Sequence, residues 1–218
     1  RGATGTGSLI SSEGLIVTNY HVVENANQVW VYPYAKKFDL EKSKKFLGIV
    51  VSTNKVTDLA ILKVYGISSN IRPVPFGNIN KISVGDDVYA IGHPDSLHWS
   101  ITDGIISNIR KNYDFKKFDL KADLIQNTAP IDGGSSGGPL LNERGQIIGV
   151  NTIGDSSANF NFAVGVNHIR NLLEKVPHSI KFNLDKIKTV NEKELSKQFT
   201  SITPGDHNNN SIIDQWSV

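Results

Sequence analysis

PLLNERGQIIGVNT, residues 139–152, decides how the rest of the chain is read. Leu140-Leu141 and the run Ile147 to Val150 are apolar on both sides of a polar centre that contains one glycine, Gly145. Gly145 is a turn residue, and the stretch is a β-hairpin. The same grammar extends outward in both directions. SLIS, GLIVTNYHVV, QVWVYPY, FLGIVVS, DLAILKV, DDVYAIG, GIISNIR, DLIQNTA and NFAVGV are short apolar runs rich in Val and Ile, punctuated by Gly, Asn and Asp. With hardly any helical periodicity among them, they predict an all-β barrel or sandwich.

One segment departs from that pattern. From Asn167 onward, Ile169, Leu172, Leu173 and Val176 fall at i, i+3, i+4 and i+7, which predicts a short helix behind a capping Asn, stopped by Pro177. Beyond Pro177 the composition shifts to Lys, Asn, Ser and Asp. There Thr189 and Glu192 form a capping box ahead of KELSKQF, TPGDHNNNS reads as a connector, and SIIDQW is an apolar end able to dock onto the body. Two basic stretches, AKKFDLEKSKKF and IRKNYDFKKFDLK, are expected to be solvated hairpin loops with one apolar anchor each. No internal repeat is visible.

Composition bounds the function. A chain of 218 residues allows one large domain or two small lobes, and 39% hydrophobic with 20% charged residues describes a soluble globular protein. With 23 basic and 21 acidic residues the net charge is +2, which predicts no nucleic-acid footprint. There is no Cys, so disulfides, Cys-ligated zinc, iron–sulfur clusters and a thiol nucleophile are excluded. No apolar run reaches the roughly 18 residues of a membrane span. There is no Met either, so Arg1 is not a translation start.

The chemistry concentrates in Gly133-Gly134-Ser135-Ser136-Gly137-Gly138-Pro139. Four glycines around two serines allow backbone amides to turn inward, because no Cβ obstructs them. A serine there can present its Oγ while its own N–H and that of the residue two before it point at one spot, which is what an oxyanion requires. Such a hydroxyl needs a base. Of six histidines, His21 directly follows a strand-like run, in LIVTNYHVV; His93 and His98 share a loop, His168 lies in a helical turn, and His178 and His207 sit in polar surroundings. Asp58 opens DLAILKV, a run too apolar for a surface strand. A His, an Asp and a Ser, each at the edge of an apolar strand and in that order, form the set a two-barrel serine protease requires.

These segments resemble the trypsin-like serine proteases of the chymotrypsin fold, and within them the bacterial HtrA/Deg branch. TNYHVV is similar to that branch's TNxHVV, IGHP to its IGNP, and IQNTAPIDGGSSGGPLLNERGQIIGVNT to its motif around the reactive serine. The resemblance runs from about Gly5 to Val176. It implies two six-stranded antiparallel β-barrels with a short C-terminal helix. Residues 1–80 would form the lobe with His and Asp, 81–177 the lobe with Ser and the helix, and 178–218 a partly helical or disordered tail, too short for the PDZ module common in that branch. The opening of the chain matches the family's GSGF-like strand, so a family strand preceding it is expected to be absent.

The resemblance implies a serine endopeptidase in which His21 is general base and acid, Asp58 orients it and Ser136 is the nucleophile. The oxyanion donors would be the N–H groups of Gly134 and Ser136. Ser135 stands where zymogen-activated relatives carry Asp, so no trypsin-style activation is expected. Thr152 would support Asp58, and the backbone of Thr152, Ile153 and Gly154 would pair with substrate. Pro130, followed by Ile131, takes the place of the acid with which trypsins bind Lys or Arg, and Asn161 replaces a pocket glycine. A small or medium uncharged residue at the cleaved bond is the expected preference. Asn151 stands where glutamyl endopeptidases carry His. The alternatives are a glutamyl-endopeptidase-like protease, or an inactive or gated binding or chaperone-like module on the same fold. No cofactor or metal is implied. The expected partner is a protein or peptide substrate, including unfolded protein, with oligomeric state open and location periplasmic or secreted.

Overall fold

The eleven apolar runs become eleven strands. A computed structural model describes residues 4–35, 39, 42–67, 71–93, 99–155, 160–176 and 212–216. In the first half lie β1 (Thr4–Leu9), β2 (Leu15–Thr18), β3 (Gln28–Pro33), β4 (Phe46–Asn54) and β5 (Leu59–Val64). After them come β6 (Asp87–Gly92), β7 (Ser100–Phe115), β8 (Leu120–Asn127), β9 (Pro139–Asn142), β10 (Ile147–Asp155) and β11 (Phe160–Gly165), then α1 (Val166–Glu174) and β12 (Ile212–Trp216). They close into two barrels of six strands, ordered β1-β12-β3-β4-β5-β2 and β10-β11-β8-β7-β6-β9. The hairpin of residues 139–152 forms as expected. Asn142 Oδ1 accepts from the N–H groups of Arg144 and Gln146, at 3.0 Å each, and Gly145 takes φ +67°.

The second barrel is antiparallel throughout, but the first is not. Its sixth strand is β12, the SIIDQW segment, which pairs in parallel with β1 (Thr4 opposite Ile212) and with β3 (Ile212 opposite Trp30). The alternation β1, β2, β5, β4, β3 leaves β1 and β3 pointing the same way, so a strand between them is parallel to both or antiparallel to both. β12 takes the parallel sense.

Residue alternation explains how the lobes join. In β5, Ala60, Leu62 and Val64 point into the interior of the first barrel with Leu9, Ile16, Val29 and Val31. Leu59 and Ile61, on the opposite face, join a larger core with β2 residues Leu15 and Val17, second-barrel residues such as Ile106, Leu124 and Val150, and Ile169 and Leu172 of α1. Both faces of β2 and β5 are therefore buried, which is why these runs read as continuously apolar. Each fully buried Leu or Ile contributes about 1.5–3 kcal/mol. Lys63 is the exception in β5: its side chain is buried and its Nζ donates to the carbonyl of Glu13, and burial holds its pKa below the usual lysine value against the opposing charge of Glu13.

Two expectations change. The helix begins at Val166 with Gly165 at its cap, and Asn167 instead donates from Nδ2 to Asp123 Oδ2 at 3.1 Å, because a tertiary carboxylate outcompetes the local capping bond. The stretch IRKNYDFKKFDLK is mostly strand, not loop: β7 runs to Phe115, and only Lys116–Phe118 forms a 3-10 turn before β8. Phe115 anchors it, edge-on to Tyr113, Phe118 and Phe162 at 4.8–5.6 Å. The expected capping box at Thr189 and Glu192 lies outside the described residues.

Candidate active site

The glycine-rich loop lies at the seam of the barrels. It opens with a turn in which the Ser135 N–H donates to Asp132 O at 2.9 Å, with Gly134 at φ +99°. A Cβ on Gly134 would stand 2.2 Å from the carbonyl oxygen of His93, and one on Gly137 (φ +87°) 2.1 Å from that of Thr6. Both positions demand glycine, for backbone conformation and for space. The loop separates its serines: Ser135 is buried, whereas Ser136 is half-exposed. Among the described residues, no protein acceptor takes the N–H of Gly134 or of Ser136. The carbonyls of the same two residues are both bound by Thr6, whose N–H donates to Ser136 O at 2.8 Å and whose Oγ1 donates to Gly134 O at 2.7 Å.

His21 and Asp58 meet on the first barrel. The chain turns after β2, and the Asp58 carbonyl accepts from the Tyr20 N–H at 3.2 Å and from Asn19 Nδ2 at 2.9 Å, docking the turn against the start of β5. Asp58 itself sits at φ +52°, a sparsely populated conformation for a residue with a side chain. Its Oδ1 accepts from the His21 backbone N–H at 2.9 Å, and its Oδ2 lies 2.8 Å from His21 Nδ1. An ionised carboxylate only accepts, so Nδ1 carries the proton and Nε2 is left as the basic nitrogen. Thr152, on β10 of the other barrel, donates from Oγ1 to the same Oδ2 at 2.5 Å. The carboxylate side chain is 14% exposed and the imidazole 46%, so a shielded carboxylate holds a more accessible imidazole.

The residues expected to touch substrate lie along β10, β11 and the strand-to-loop connection after β8. Pro130 is exposed and its carbonyl accepts from Thr102 Oγ1 at 2.7 Å. Asn161 is buried, and its Nδ2 donates to Ala129 O at 2.7 Å. A Cβ on Gly154 would lie 2.9 Å from Ile131 O and 3.2 Å from Asn161 Oδ1, so these three residues converge. Thr152 is buried and Ile153 half-buried. Asn151 turns away, buried, with Nδ2 on Pro139 O at 3.1 Å.

The other histidines stand apart. His93 is buried behind the loop, with its ring edge-on to Trp99. His168 Nε2 accepts from the Asp123 N–H at 2.8 Å, and burial lowers its pKa despite the nearby Asp123 carboxylate. His98, His178 and His207 lie outside the described residues. A cavity of about 550 Å³ is lined by Phe76, Lys81, Arg144 and Arg170 among others and by none of the candidate residues. Thr6 and Asn19 were not singled out from the sequence. The available signal for Thr6 was a hydroxyl residue between two glycines at the start of a strand.

Two closed six-stranded barrels, with a His–Asp pair on one and a glycine-bound serine on the other, define the class of two-barrel serine peptidases. Comparison with known proteins makes this specific. The trypsin-like peptidase domain matches residues 5–150. A protein of Synechocystis sp. that carries the name serine protease HhoA is 37% identical over 182 residues, 80% of this chain and 44% of that protein. A periplasmic serine endoprotease DegP-like protein of Chlamydia pneumoniae is 41% identical over 152 residues, 68% of this chain and 28% of that protein. The structure of the HtrA-type protease AlgW with a tripeptide superposes with a TM-score of 0.68 at 29% identity, covering 80% of this chain and 56% of that one. The chain belongs to the trypsin-like peptidase family, on its HtrA-type side. It spans less than half the length of these curated relatives.

Proposed function

We propose that this chain is a serine endopeptidase that cleaves peptide bonds through Ser136, His21 and Asp58. The observation that carries the reading is the Asp58 carboxylate, bonded to both the backbone N–H and Nδ1 of His21 and braced by Thr152 from the opposite barrel. His21 Nε2 takes the proton of Ser136 Oγ as that oxygen attacks the substrate carbonyl carbon. The oxyanion so formed is met by the N–H groups of Gly134 and Ser136, which have no protein acceptor among the described residues. One such donor is worth about 10²–10³ in rate. The imidazolium, stabilised by Asp58, gives its proton to the departing amine and leaves an acyl-enzyme on Ser136. Water, deprotonated by His21, then attacks the ester, and Ser136 leaves with the returned proton.

Substrate specificity follows from the lining. The backbone of Thr152, Ile153 and Gly154 pairs with an extended substrate, and Pro130, Ile131 and Asn161 bound the pocket for the side chain at the cleaved bond. Pro130 offers no charge, and Asn161 fills space between Ala129 and Gly154. A small or medium uncharged side chain suits that pocket. The buried, bonded amide of Asn151 supplies no cation for glutamate, which favours this over a glutamyl specificity. A peptide-bound structural neighbour supports a peptide substrate, and the periplasmic relative supports an extracytoplasmic location. Among the described residues no helix is long and apolar enough to cross a membrane.

A fluorophosphonate should label Ser136, and Ser136→Ala should lose both labelling and cleavage of an unfolded protein. Mass-spectrometric mapping of cleavage sites should show small or medium uncharged residues before the cut. Cleavage retained by Ser136→Ala would overturn the assignment.

A further inference from the structure

A loop built on consecutive glycines has a positioning problem. With no Cβ at Gly133 or Gly134, the peptide between them can rotate at little steric cost, and each rotation carries the Gly134 N–H away from the oxyanion spot. The turn bond from Ser135 N–H to Asp132 O ties the ends of this stretch to each other and not to the rest of the protein. External restraint is therefore informative, and much of it comes from one residue. Thr6, fully buried on β1 of the opposite barrel, binds the carbonyls of Gly134 and Ser136, and its own carbonyl accepts from Thr18 Oγ1 at 2.7 Å.

We infer that Thr6 is a positioning residue: its hydroxyl holds the peptide after Gly134, and its N–H the peptide after Ser136, so that the two N–H groups proposed as oxyanion donors stay convergent. The inference rests on the proposed protease reading for its catalytic consequence, but not for its structural one. The N–H bond survives any substitution except proline. The Oγ1 bond is the separable part, and it restrains the peptide nearest the Gly133-Gly134 pair. Losing it should weaken the transition state, in which the oxyanion exists, more than the ground-state complex.

The test is Thr6→Val, which keeps shape and removes the hydroxyl, compared with Thr6→Ser, which restores it. In the wild type and both variants, amide hydrogen exchange is followed by mass spectrometry on the segment 133–137, with the hairpin of residues 139–152 as internal reference. Thr6→Val should exchange about tenfold faster in 133–137 with the hairpin unchanged, and Thr6→Ser should match the wild type. On a peptide that the wild type cleaves, Thr6→Val should lower kcat about tenfold with KM within about twofold, and Thr6→Ser should recover it. Unchanged exchange in 133–137, or equal acceleration in the hairpin, overturns the positioning role whether or not the chain is a protease. A wild type that neither cleaves nor reacts with a fluorophosphonate overturns the protease reading and leaves the exchange comparison to judge Thr6. Should Thr6→Val not fold, Thr6→Ala and Thr6→Ser carry the same comparison.

Discussion

Replacing Thr152 by Val removes one hydrogen bond and little else. The residue is 8% exposed, Val matches its shape, and the lost group is the hydroxyl that donates to Asp58 Oδ2 from across the lobe seam. Oδ2 then keeps His21 Nδ1 alone, while Oδ1 keeps the His21 backbone N–H. A hydrogen bond to a charged group is worth about 1.5–3 kcal/mol, and the 14% exposure of the carboxylate side chain lets water recover part of it. A net loss of about 1.5 kcal/mol at the carboxylate proposed to orient the base corresponds to a fall of about tenfold in kcat. The assay is peptide hydrolysis together with the rate of fluorophosphonate labelling, run as a double-mutant cycle with Asp58→Ala. Because the hydroxyl acts through Asp58, Thr152→Val should cost about tenfold in the wild-type background and less than about twofold in Asp58→Ala. Equal losses in both backgrounds would show that Thr152 acts elsewhere and refute the reasoning.

Three further outcomes follow from the same geometry. Gly137→Ala places a side chain at φ +87° and 2.1 Å from Thr6 O; the conformation alone costs about 1–2 kcal/mol, and the displaced Ser136 should label about 100-fold more slowly. His168 has a folded-state pKa below its ordinary value of 6.5, so the unfolded chain binds the proton first; stability should be full above about pH 6.5 and decline as pH falls below it. Chemical denaturation of His168→Gln should show a flatter slope across that window. Deleting residues 212–218 removes β12 and leaves β1 and β3 unpaired on one side, a loss of about 2 kcal/mol or more, read as a thermal midpoint lower by about 4–8 °C. An unchanged midpoint would mean that β12 does not hold the barrel closed.

Strands and the candidate site residues were legible in the sequence because they are local or nearly so. Burial on both faces wrote β2 and, but for Lys63, β5 as unbroken apolar runs, and Gly145 with its flanking hairpin gave away the turn beside the glycine–serine loop. His21, Asp58 and the glycine–serine loop were visible because each needs a particular residue type at the edge of a strand. Tertiary structure decided what depends on which distant segments meet. It set the parallel sense of β12, which local pattern cannot encode because a strand carries the same alternation in either direction. It extended β7 through a basic stretch by burying Phe115 against Phe162. It moved Asn167 from cap to tertiary partner, and it brought Thr6, 128 residues away in sequence, onto the carbonyl of Gly134. Hydrogen-bonding groups announce in sequence that they need partners; only the folded chain says which partners they find.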